Sequence, residues 1–437
     1  MTLTSSTILS VIAISSLAVR ATGSGILLNV TNSVFGSHLG ILPVAFGDFN
    51  GDKLTDMFVV EDGDRNKISV LIANKQSTFS LTEGKYFKVA ESVSNPKELK
   101  RLSCVYNDFT IVSAAPADFD GDGGMDVLVV ARDDDEKLVA FVAWGEHHRG
   151  EDGPHALVCP EKAIDRRWHH KIEVEAEPLV MEGNGDAIAD IFGVPAGNKT
   201  RGIWIFGRDR TRKPEFFPLG EGSGKPFRNP HSNAFVDLNN DGNSDILVTT
   251  ETGFELWENK GTVGDPHFKL HEPVKNVKDV KYPPCEGPTG AKGPCLGQSV
   301  FGDFDLDGRL DMVFPVCQDG CKTGSLYWSP LANLWKQEDK KSSPFRVIPL
   351  DDAKMQNYEF DPTAPDSDFY PGMSPRMGDI NLDGYPDLLL RVKNRKSNKK
   401  QTHLFLNIDA EDSPANQRGF AIQPQVGTAW LDKFRRF

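Results

Sequence analysis

A nine-residue pattern of acidic residues occurs six times in this 437-residue chain, each time between two apolar runs. The pattern is Asp-x-Asp/Asn-x-Asp-x-x-x-Asp, with glutamate in first place in the third copy. We number the copies as acidic loops 1 to 6. Their positions 1, 3, 5 and 9 are Asp48, Asn50, Asp52, Asp56; Asp118, Asp120, Asp122, Asp126; Glu182, Asn184, Asp186, Asp190; Asp237, Asn239, Asp241, Asp245; Asp303, Asp305, Asp307, Asp311; and Asp379, Asn381, Asp383, Asp387.

Oxygen atoms at alternate positions of a tight turn are what a hard cation requires. Ca²⁺ takes six to eight oxygens at about 2.3–2.6 Å, and positions 1, 3, 5 and 9 with the main-chain carbonyl of position 7 can supply them. Position 7 holds six unrelated residues, as expected if only its backbone binds metal. Glycine follows position 5 in four loops, where the chain must turn sharply. The sequence therefore predicts Ca²⁺ as the cofactor of these loops.

The EF-hand shares the first half of the pattern, but it requires glutamate at position 12 and a helix on each side. Here the runs that follow the loops are short, apolar and rich in β-branched residues, which is typical of buried strands. Position 12 carries no carboxylate in any copy: it is Val59, Val129, Gly193, Val248, Phe314 and Leu390.

The spacing of the loops predicts the fold. Successive loops begin 70, 64, 55, 66 and 76 residues apart, and a second β-like run follows each loop by about a dozen residues. Such a period is typical of a β-propeller, in which each blade has four antiparallel strands. We therefore expect an all-β propeller over residues 22–427, with the acidic loop joining the first two strands of each blade.

The residues around the loops carry a family resemblance. The stretches Ala45–Asp52 and Val300–Gly308 resemble the FG-GAP repeats of integrin α-chain propellers. Three other stretches resemble the T-cell immunomodulatory protein family: Pro230–Asp237, Phe254–Asn259 and Gly297–Phe301 with the Cys317/Cys321 pair that follows it.

This resemblance implies a type I membrane or shed extracellular protein with a calcium-binding propeller, a further domain and a C-terminal transmembrane helix. It also implies a role in protein interaction. The chain departs from the family pattern at its end: a seventh repeat begins at Asp432, 53 residues after Asp379, and the sequence stops at Phe437. We expect residues 428–437 to be the truncated start of that repeat, with no transmembrane segment after it.

The N-terminus predicts secretion. Residues 1–21 have an apolar core, Ile8–Val19, followed by small residues, and we expect a signal peptide cleaved after Ala21. The sequons at Asn29 and Asn198 are candidate glycosylation sites.

Six cysteines in an exported chain predict three disulfides. Cys317 and Cys321 flank a short turn, Cys285 and Cys295 bracket a Pro/Gly-rich loop, and Cys104 and Cys159 remain as the third pair. A zinc site is the alternative, although the spacing lacks two close-set pairs.

The net charge of −13 is largely explained by the loops. They carry 20 acids at positions 1, 3, 5 and 9, and six bound Ca²⁺ ions would bring the charge to about −1. No basic stripe outweighs this balance, so we expect no nucleic-acid partner. The basic run Arg391–Lys400 is interpreted as a solvated hairpin between two strands.

Catalysis has little support in the sequence. Gly220–Lys225 is similar to a phosphate loop but is one residue short and is followed by Pro226, so we interpret it as a flexible turn. No metalloprotease frame accompanies the histidines that could hold a transition metal, which are His147, His148, His155, His169 and His170.

We therefore expect a non-enzymatic extracellular or cell-surface module. Its partner would be a protein ligand or receptor bound at a propeller face, with a possible effect on T cells or other immune cells. The alternative is a carbohydrate-binding or carbohydrate-processing propeller that uses the same face.

Overall fold

Six antiparallel sheets of four or five strands follow one another along the chain. They make the protein an all-β propeller, as the loop spacing predicts. The computed structural model describes residues 41–61, 65–73, 87–88, 102–146, 156–158, 170–229, 231–272, 278, 280–283, 296–318, 323–337, 343–348, 357–360, 373–409 and 418–422. The predicted signal peptide and the start of the seventh repeat lie outside these residues.

The first three sheets are blades 1 to 3, and each contains the strands joined by one of the first three acidic loops. Their strands are β1 Ile41–Gly47, β2 Asp56–Glu61, β3 Lys67–Ala73, β4 Phe87–Lys88 and β5 Ser103–Val105 in blade 1; β6 Phe109–Ala117, β7 Asp126–Asp133, β8 Leu138–Glu146, β9 Ala156–Val158 and β10 Ile172–Glu173 in blade 2; and β11 Leu179–Met181, β12 Asp190–Gly193, β13 Arg201–Ile205 and β14 Glu215–Gly220 in blade 3.

Blades 4 to 6 repeat this plan, with one short helix inserted in blade 5. Their elements are β15 Ala234–Val236, β16 Asp245–Thr249, β17 Gly253–Asn259, β18 Phe268–His271 and β19 Val280–Lys281; β20 Val300–Gly302, β21 Asp311–Gln318, β22 Thr323–Pro330, α1 Leu331–Trp335 and β23 Arg346–Ile348; and β24 Tyr358–Phe360, β25 Arg376–Gly378, β26 Asp387–Asn394, β27 Lys400–Asp409 and β28 Arg418–Ile422.

The strand that follows each acidic loop is buried on both faces, which explains its continuous apolar run. In β16, Ile246 and Val248 pack with blade 3, whereas Leu247 between them packs with blade 5. Successive side chains of a strand point to opposite faces, so one strand contributes to two cores. The acidic loops join β1 to β2, β6 to β7, β11 to β12, β15 to β16, β20 to β21 and β25 to β26.

Hydrophobic cores join each described blade to the next one along the chain. Phe58 of blade 1 and Val129 of blade 2 share a core, as do Leu128 of blade 2 and Ile191 of blade 3. Further cores join blades 3 and 4, blades 4 and 5, and blades 5 and 6. Each described blade therefore packs against at least one neighbour.

The basic run near the C-terminus forms a hairpin, as predicted. Residues 388–393 of β26 pair with residues 400–405 of β27, and the turn at residues 395–399 is exposed. No helix of the described residues has both the length and the apolar character needed to cross a lipid bilayer.

Candidate metal centres in the acidic loops

The ninth residue of every acidic loop is a buried aspartate at the start of the strand that follows the loop. Its side chain is at most 1% exposed, and one carboxylate oxygen, Oδ2, accepts a hydrogen bond from the backbone amide of position 2. In loop 1 this bond runs from Phe49 to Asp56 over 2.8 Å. The donors in the other loops are Phe119, Gly183, Leu238, Phe304 and Ile380.

The other oxygen of this aspartate, Oδ1, accepts an amide near the end of the next strand along the chain in five of the loops. The N–O distances are 2.7–2.9 Å. The aspartate thus ties the loop to a strand distant in sequence, a role that its spacing alone does not reveal. The donors are Ala73, Gly145, Phe206, Asn259 and Asn407.

Loop 5 lacks this second bond. Pro330 lies opposite Asp311 in the sheet, and the next residue, Leu331, begins helix α1. The Leu331 amide donates to the Leu310 carbonyl at 3.0 Å instead. Among the described residues, Phe304 is therefore the one backbone donor to the Asp311 carboxylate.

Positions 1 and 5 are oriented by amides within the loop. In loop 1, Asp48 accepts the amides of Asp52 at 3.0 Å and Lys53 at 2.8 Å, and Asp52 accepts the amide of Leu54 at 2.8 Å. The bond from position 7 to position 5 is present in all six loops. The loop backbone thus holds the side chains of positions 1 and 5 in fixed orientations.

Position 3 divides the loops into two classes. Where it is asparagine, its amide nitrogen donates to the carboxylate of position 5, as from Asn50 to Asp52 over 3.0 Å. The equivalent bonds in loops 3, 4 and 6 measure 2.9–3.1 Å. Asp120 and Asp305 have no such donor, so loops 2 and 5 contain four carboxylates each.

The residues of loops 2 and 5 fit a divalent cation. Carboxylate oxygens of positions 1, 3 and 9 lie within 4.8 Å of one another in both loops. An all-oxygen donor set of this kind suits Ca²⁺ rather than zinc or copper. In loop 5 these residues are Asp303, Asp305 and Asp311, and in loop 2 they are Asp118, Asp120 and Asp126.

Burial raises the pKa of the ninth aspartate in every loop. The pKa rises to about 7 for Asp126 and Asp190, and to about 6 for Asp245 and Asp311. It is also raised for Asp56 and Asp387. Desolvation is the largest cause, and neighbouring loop carboxylates add to it by like-charge repulsion. A cation held beside these groups would favour their ionised form.

The loop backbone is left-handed at both position 4 and position 6. The glycines after position 5 fit this requirement, as in Gly308 with a φ of +83°. The sequence does not indicate a left-handed residue at position 4 of every loop, because leucines occupy it in loops 5 and 6: Leu306 with a φ of +58° and Leu382 with a φ of +61°. Those two leucines are 49% and 56% exposed.

The glycine-rich turn Gly220–Lys225 surrounds a carboxylate of the chain itself. The Ser223 amide donates to Glu255 at 2.8 Å, and Glu255 forms a buried ion pair with Arg201 at 2.8 Å. The Lys225 carbonyl accepts a hydrogen bond from the same arginine. The turn predicted to be flexible is therefore anchored at the contact between blades 3 and 4.

The other predicted sites are only partly within the described residues. Asn198 lies on an exposed turn, and its side-chain oxygen accepts the amide of Lys199 at 2.7 Å. Cys104 and Cys317 are both in disulfide form. Their partners lie outside the described residues, so the three pairings stay predictions. Both glycosylation sites also stay predictions. Outside them also lie Asn29, Cys159, Cys285, Cys295, Cys321, His147, His148, His155 and His169.

Sequence comparisons support the resemblance. A family model described as an FG-GAP-like repeat matches residues 48–129, which contain acidic loops 1 and 2. The T-cell immunomodulatory protein of Mus musculus is 29% identical over 406 residues, which cover 89% of this chain and 56% of that protein. Protein linkin of Caenorhabditis elegans is 25% identical over 371 residues, covering 82% of this chain and 52% of its own length.

Among solved structures, a fungal lectin described as a six-bladed β-propeller aligns with a TM-score of 0.35 and 10% identity, covering 85% of this chain and 90% of the lectin. The extracellular domains 1–2 of Drosophila Semaphorin 1a align with a TM-score of 0.34 and 9% identity, covering 91% of this chain and 82% of that one. The chain spans about half the length of the curated relatives it matches. Over most of its own length, this chain is similar to the T-cell immunomodulatory proteins, as the residues around its acidic loops predict.

Proposed function

We propose that this chain is a calcium-stabilised, non-catalytic propeller that binds a protein partner outside the cell or at its surface. The observation that carries the proposal is the convergence of carboxylates in acidic loops 2 and 5, within six loops of one backbone design. Calcium would neutralise these carboxylates and fix the turn between the two strands that each loop joins.

Chelation tests the calcium part of this proposal. Removing calcium from the purified chain with EDTA leaves 20 loop acids without a counter-ion, and we expect a marked fall in Tm that added Ca²⁺ reverses. Asp307→Ala should reduce the calcium stoichiometry measured by calorimetry by one. Asp265→Ala, at an exposed aspartate outside the loops, is the matched control and should not change it.

An unchanged Tm in EDTA, together with no heat on calcium titration, would show that the loops are not calcium sites.

Exposed apolar side chains near the loops support a protein-binding surface. Four of the large hydrophobic side chains exposed among the described residues lie within a loop or two residues before one: Phe46, Leu306, Met377 and Leu382, at 58%, 49%, 44% and 56% exposure. Apolar groups on an otherwise acidic face are typical of a contact surface for another protein. The loop face of blades 5 and 6 is therefore the proposed docking face.

The relatives support the location and the biological setting. The matched proteins are named T-cell immunomodulatory protein, which supports a surface or secreted location and a role toward immune cells. The carboxylates of the loops are committed to backbone amides and, in this proposal, to calcium, and such groups do not readily exchange protons in catalysis. A binding role therefore accounts for them better than an enzymatic one.

Proximity labelling on T cells tests the partner. A receptor recovered with the calcium-loaded chain, lost in EDTA and lost with Leu306→Asp/Leu382→Asp, is the expected result. Val347→Asp changes a 53% exposed side chain on β23, which is not part of an acidic loop, and should retain it. Sugar-specific binding on a glycan array without any protein receptor would favour the carbohydrate-binding alternative instead.

A further inference from the structure

Two arginines of blade 3 lie against acidic loop 2 of blade 2. They belong to the turn between β13 and β14. Arg208 Nη1 donates to the Gly121 carbonyl at 3.1 Å, in the middle of the loop. Arg210 Nη2 donates to the Gly145 carbonyl at 3.1 Å, at the end of the third strand. The turn is thus fixed to both the loop and its supporting strand.

The Arg210 guanidinium contacts the proposed calcium ligands directly. Its Nε pairs with Asp120 at position 3, and its Nη2 lies 3.1 Å from Asp122 Oδ2 at position 5. The guanidinium also lies over the Trp144 ring, with 5.3 Å between the guanidinium carbon and the ring centroid. In the part of the chain that the structure describes, both ion pairs made to loop carboxylates come from Arg210.

Burial strengthens the contact between Arg210 and Asp120. The Arg210 side chain is 18% exposed and that of Asp120 is 5% exposed, so water screens their attraction poorly. One positive charge also reduces the formal charge of loop 2 from −4 to −3, which is the charge of the four loops that contain asparagine. Arg210 therefore offsets one negative charge of loop 2. In the other four loops, asparagine at position 3 removes that charge.

We propose that Arg210 is a built-in competitor for the calcium ion of loop 2. This inference rests on the proposed calcium binding of the loops. The guanidinium already engages carboxylate oxygens of Asp120 and Asp122, and its positive charge would repel a metal ion bound at the same carboxylates. Calcium must therefore displace Arg210, and loop 2 binds it more weakly than a loop without such an arginine.

Loop 5 has the same four aspartates as loop 2, but no arginine among the described residues pairs with them. Arg346 of β23 stacks on Trp328 with 3.9 Å between the guanidinium carbon and the ring centroid. No ion pair between Arg346 and a loop 5 carboxylate occurs in the described residues. The four aspartates of loop 5 are thus available to a cation.

Displacement of Arg210 would alter the contact between blades 2 and 3. The start of the turn is held by the Phe206 amide, which donates to Asp190 at 2.9 Å, and by the packing of Phe206 on Phe119. The part that would move is therefore residues 207–213, which lie between this anchor and β14. Calcium at loop 2 would act as a switch on this surface turn.

Calorimetric calcium titration of the full chain tests the proposal, with Arg210→Gln and Arg346→Gln compared with the unchanged protein. We expect Arg210→Gln to tighten one site by about 5- to 150-fold, the usual range of coupling between two competing ligands. Arg346→Gln should change no site by more than about threefold. Asp120→Asn/Arg210→Gln gives loop 2 the charge of the asparagine loops and should also bind more tightly than the unchanged loop 2.

A second readout follows the arginine itself. The side-chain Nε–H signal of Arg210, assigned by its loss in Arg210→Gln, should shift during calcium titration. Unchanged or weaker binding by Arg210→Gln at otherwise functional loops would overturn this inference alone. Failure of every loop to bind calcium in all variants would instead overturn the proposed function.

Discussion

Acidic loops 2 and 5 have the same four aspartates at the same positions, yet their surroundings differ. In loop 2 the ninth aspartate, Asp126, accepts one amide from the loop and one from β8, and Arg210 pairs with the carboxylates of positions 3 and 5. In loop 5, Asp311 accepts one amide and Arg346 is held on an indole ring. The comparison shows that the repeat determines the ligand set, whereas the neighbouring strands and turns determine how available that set is.

Removing the ninth aspartate should give the largest difference between the two loops. Asp126→Ala leaves two buried amides without an acceptor, and a hydrogen bond to a charged group contributes about 1.5–3 kcal/mol. We expect a loss of about 3–6 kcal/mol for Asp126→Ala and about 1.5–3 kcal/mol for Asp311→Ala. Urea denaturation of calcium-depleted protein measures both losses.

The isosteric variants Asp126→Asn and Asp311→Asn are the controls for packing. Equal losses for the two alanine variants would contradict the difference in hydrogen bonding described for the two loops.

In loop 2, glycine should matter more at position 4, Gly121, than at position 6, Gly123. Gly121 has a φ of +68°, and an added Cβ would lie 2.9 Å from Ile188 of blade 3. Gly123 has a φ of +84° and nothing within 4 Å. A left-handed alanine costs about 1–2 kcal/mol, so we expect that loss for Gly123→Ala and about 1 kcal/mol more for Gly121→Ala.

The reverse change in loop 5 sharpens this comparison. Leu306→Gly relieves a left-handed residue at a net gain of about 1 kcal/mol or less, since glycine is more flexible in the unfolded chain. Thermal melts would measure all three variants. A stabilising Gly121→Ala would show that the packing of loop 2 against Ile188 is not tight.

The smallest expected difference lies in the dependence of stability on pH. In calcium-depleted protein the native pKa is about 7 for Asp126 and about 6 for Asp311, above the value of about 4 in the unfolded chain. The native state therefore binds more protons across this range, and stability falls as pH rises from about 4 toward the native pKa.

Asp126→Asn should flatten this fall up to about pH 7, and Asp311→Asn only up to about pH 6. The difference of about one pH unit corresponds to about 1.4 kcal/mol. Urea denaturation at half-unit steps from pH 4.5 to 7.5 measures it. Stability that increases across this range, or identical profiles for the two variants, would contradict the order of the pKa values.

Local features of these loops could be predicted from the sequence. The acidic positions, the strand on each side and the glycines after position 5 all follow from short-range spacing, because each loop is organised by its own amides. The spacing of the repeat does not distinguish asparagine from aspartate as a ligand at position 3. The structure distinguishes them, since Asn50 donates to Asp52 and Asp120 cannot.

Contacts between distant segments could not be predicted in this way. The Gly145 amide that binds Asp126 is 19 residues away, and Arg210 is 90 residues from Asp120. Nothing in the spacing of the repeat specifies which turn of the next blade approaches a loop. In loop 5 the missing bond depends on Pro330 and the start of helix α1, a local irregularity outside the repeat.

The cores that join each described blade to the next have a consequence for how the chain folds during synthesis. Every such core is built from blades that are adjacent in sequence, so each new blade can pack on the one already made as the chain leaves the ribosome. A newly made blade still exposes the apolar face that its successor will cover, as Leu247 of β16 does until blade 5 is complete. Slow translation between two blades should therefore favour aggregation or chaperone capture at that face.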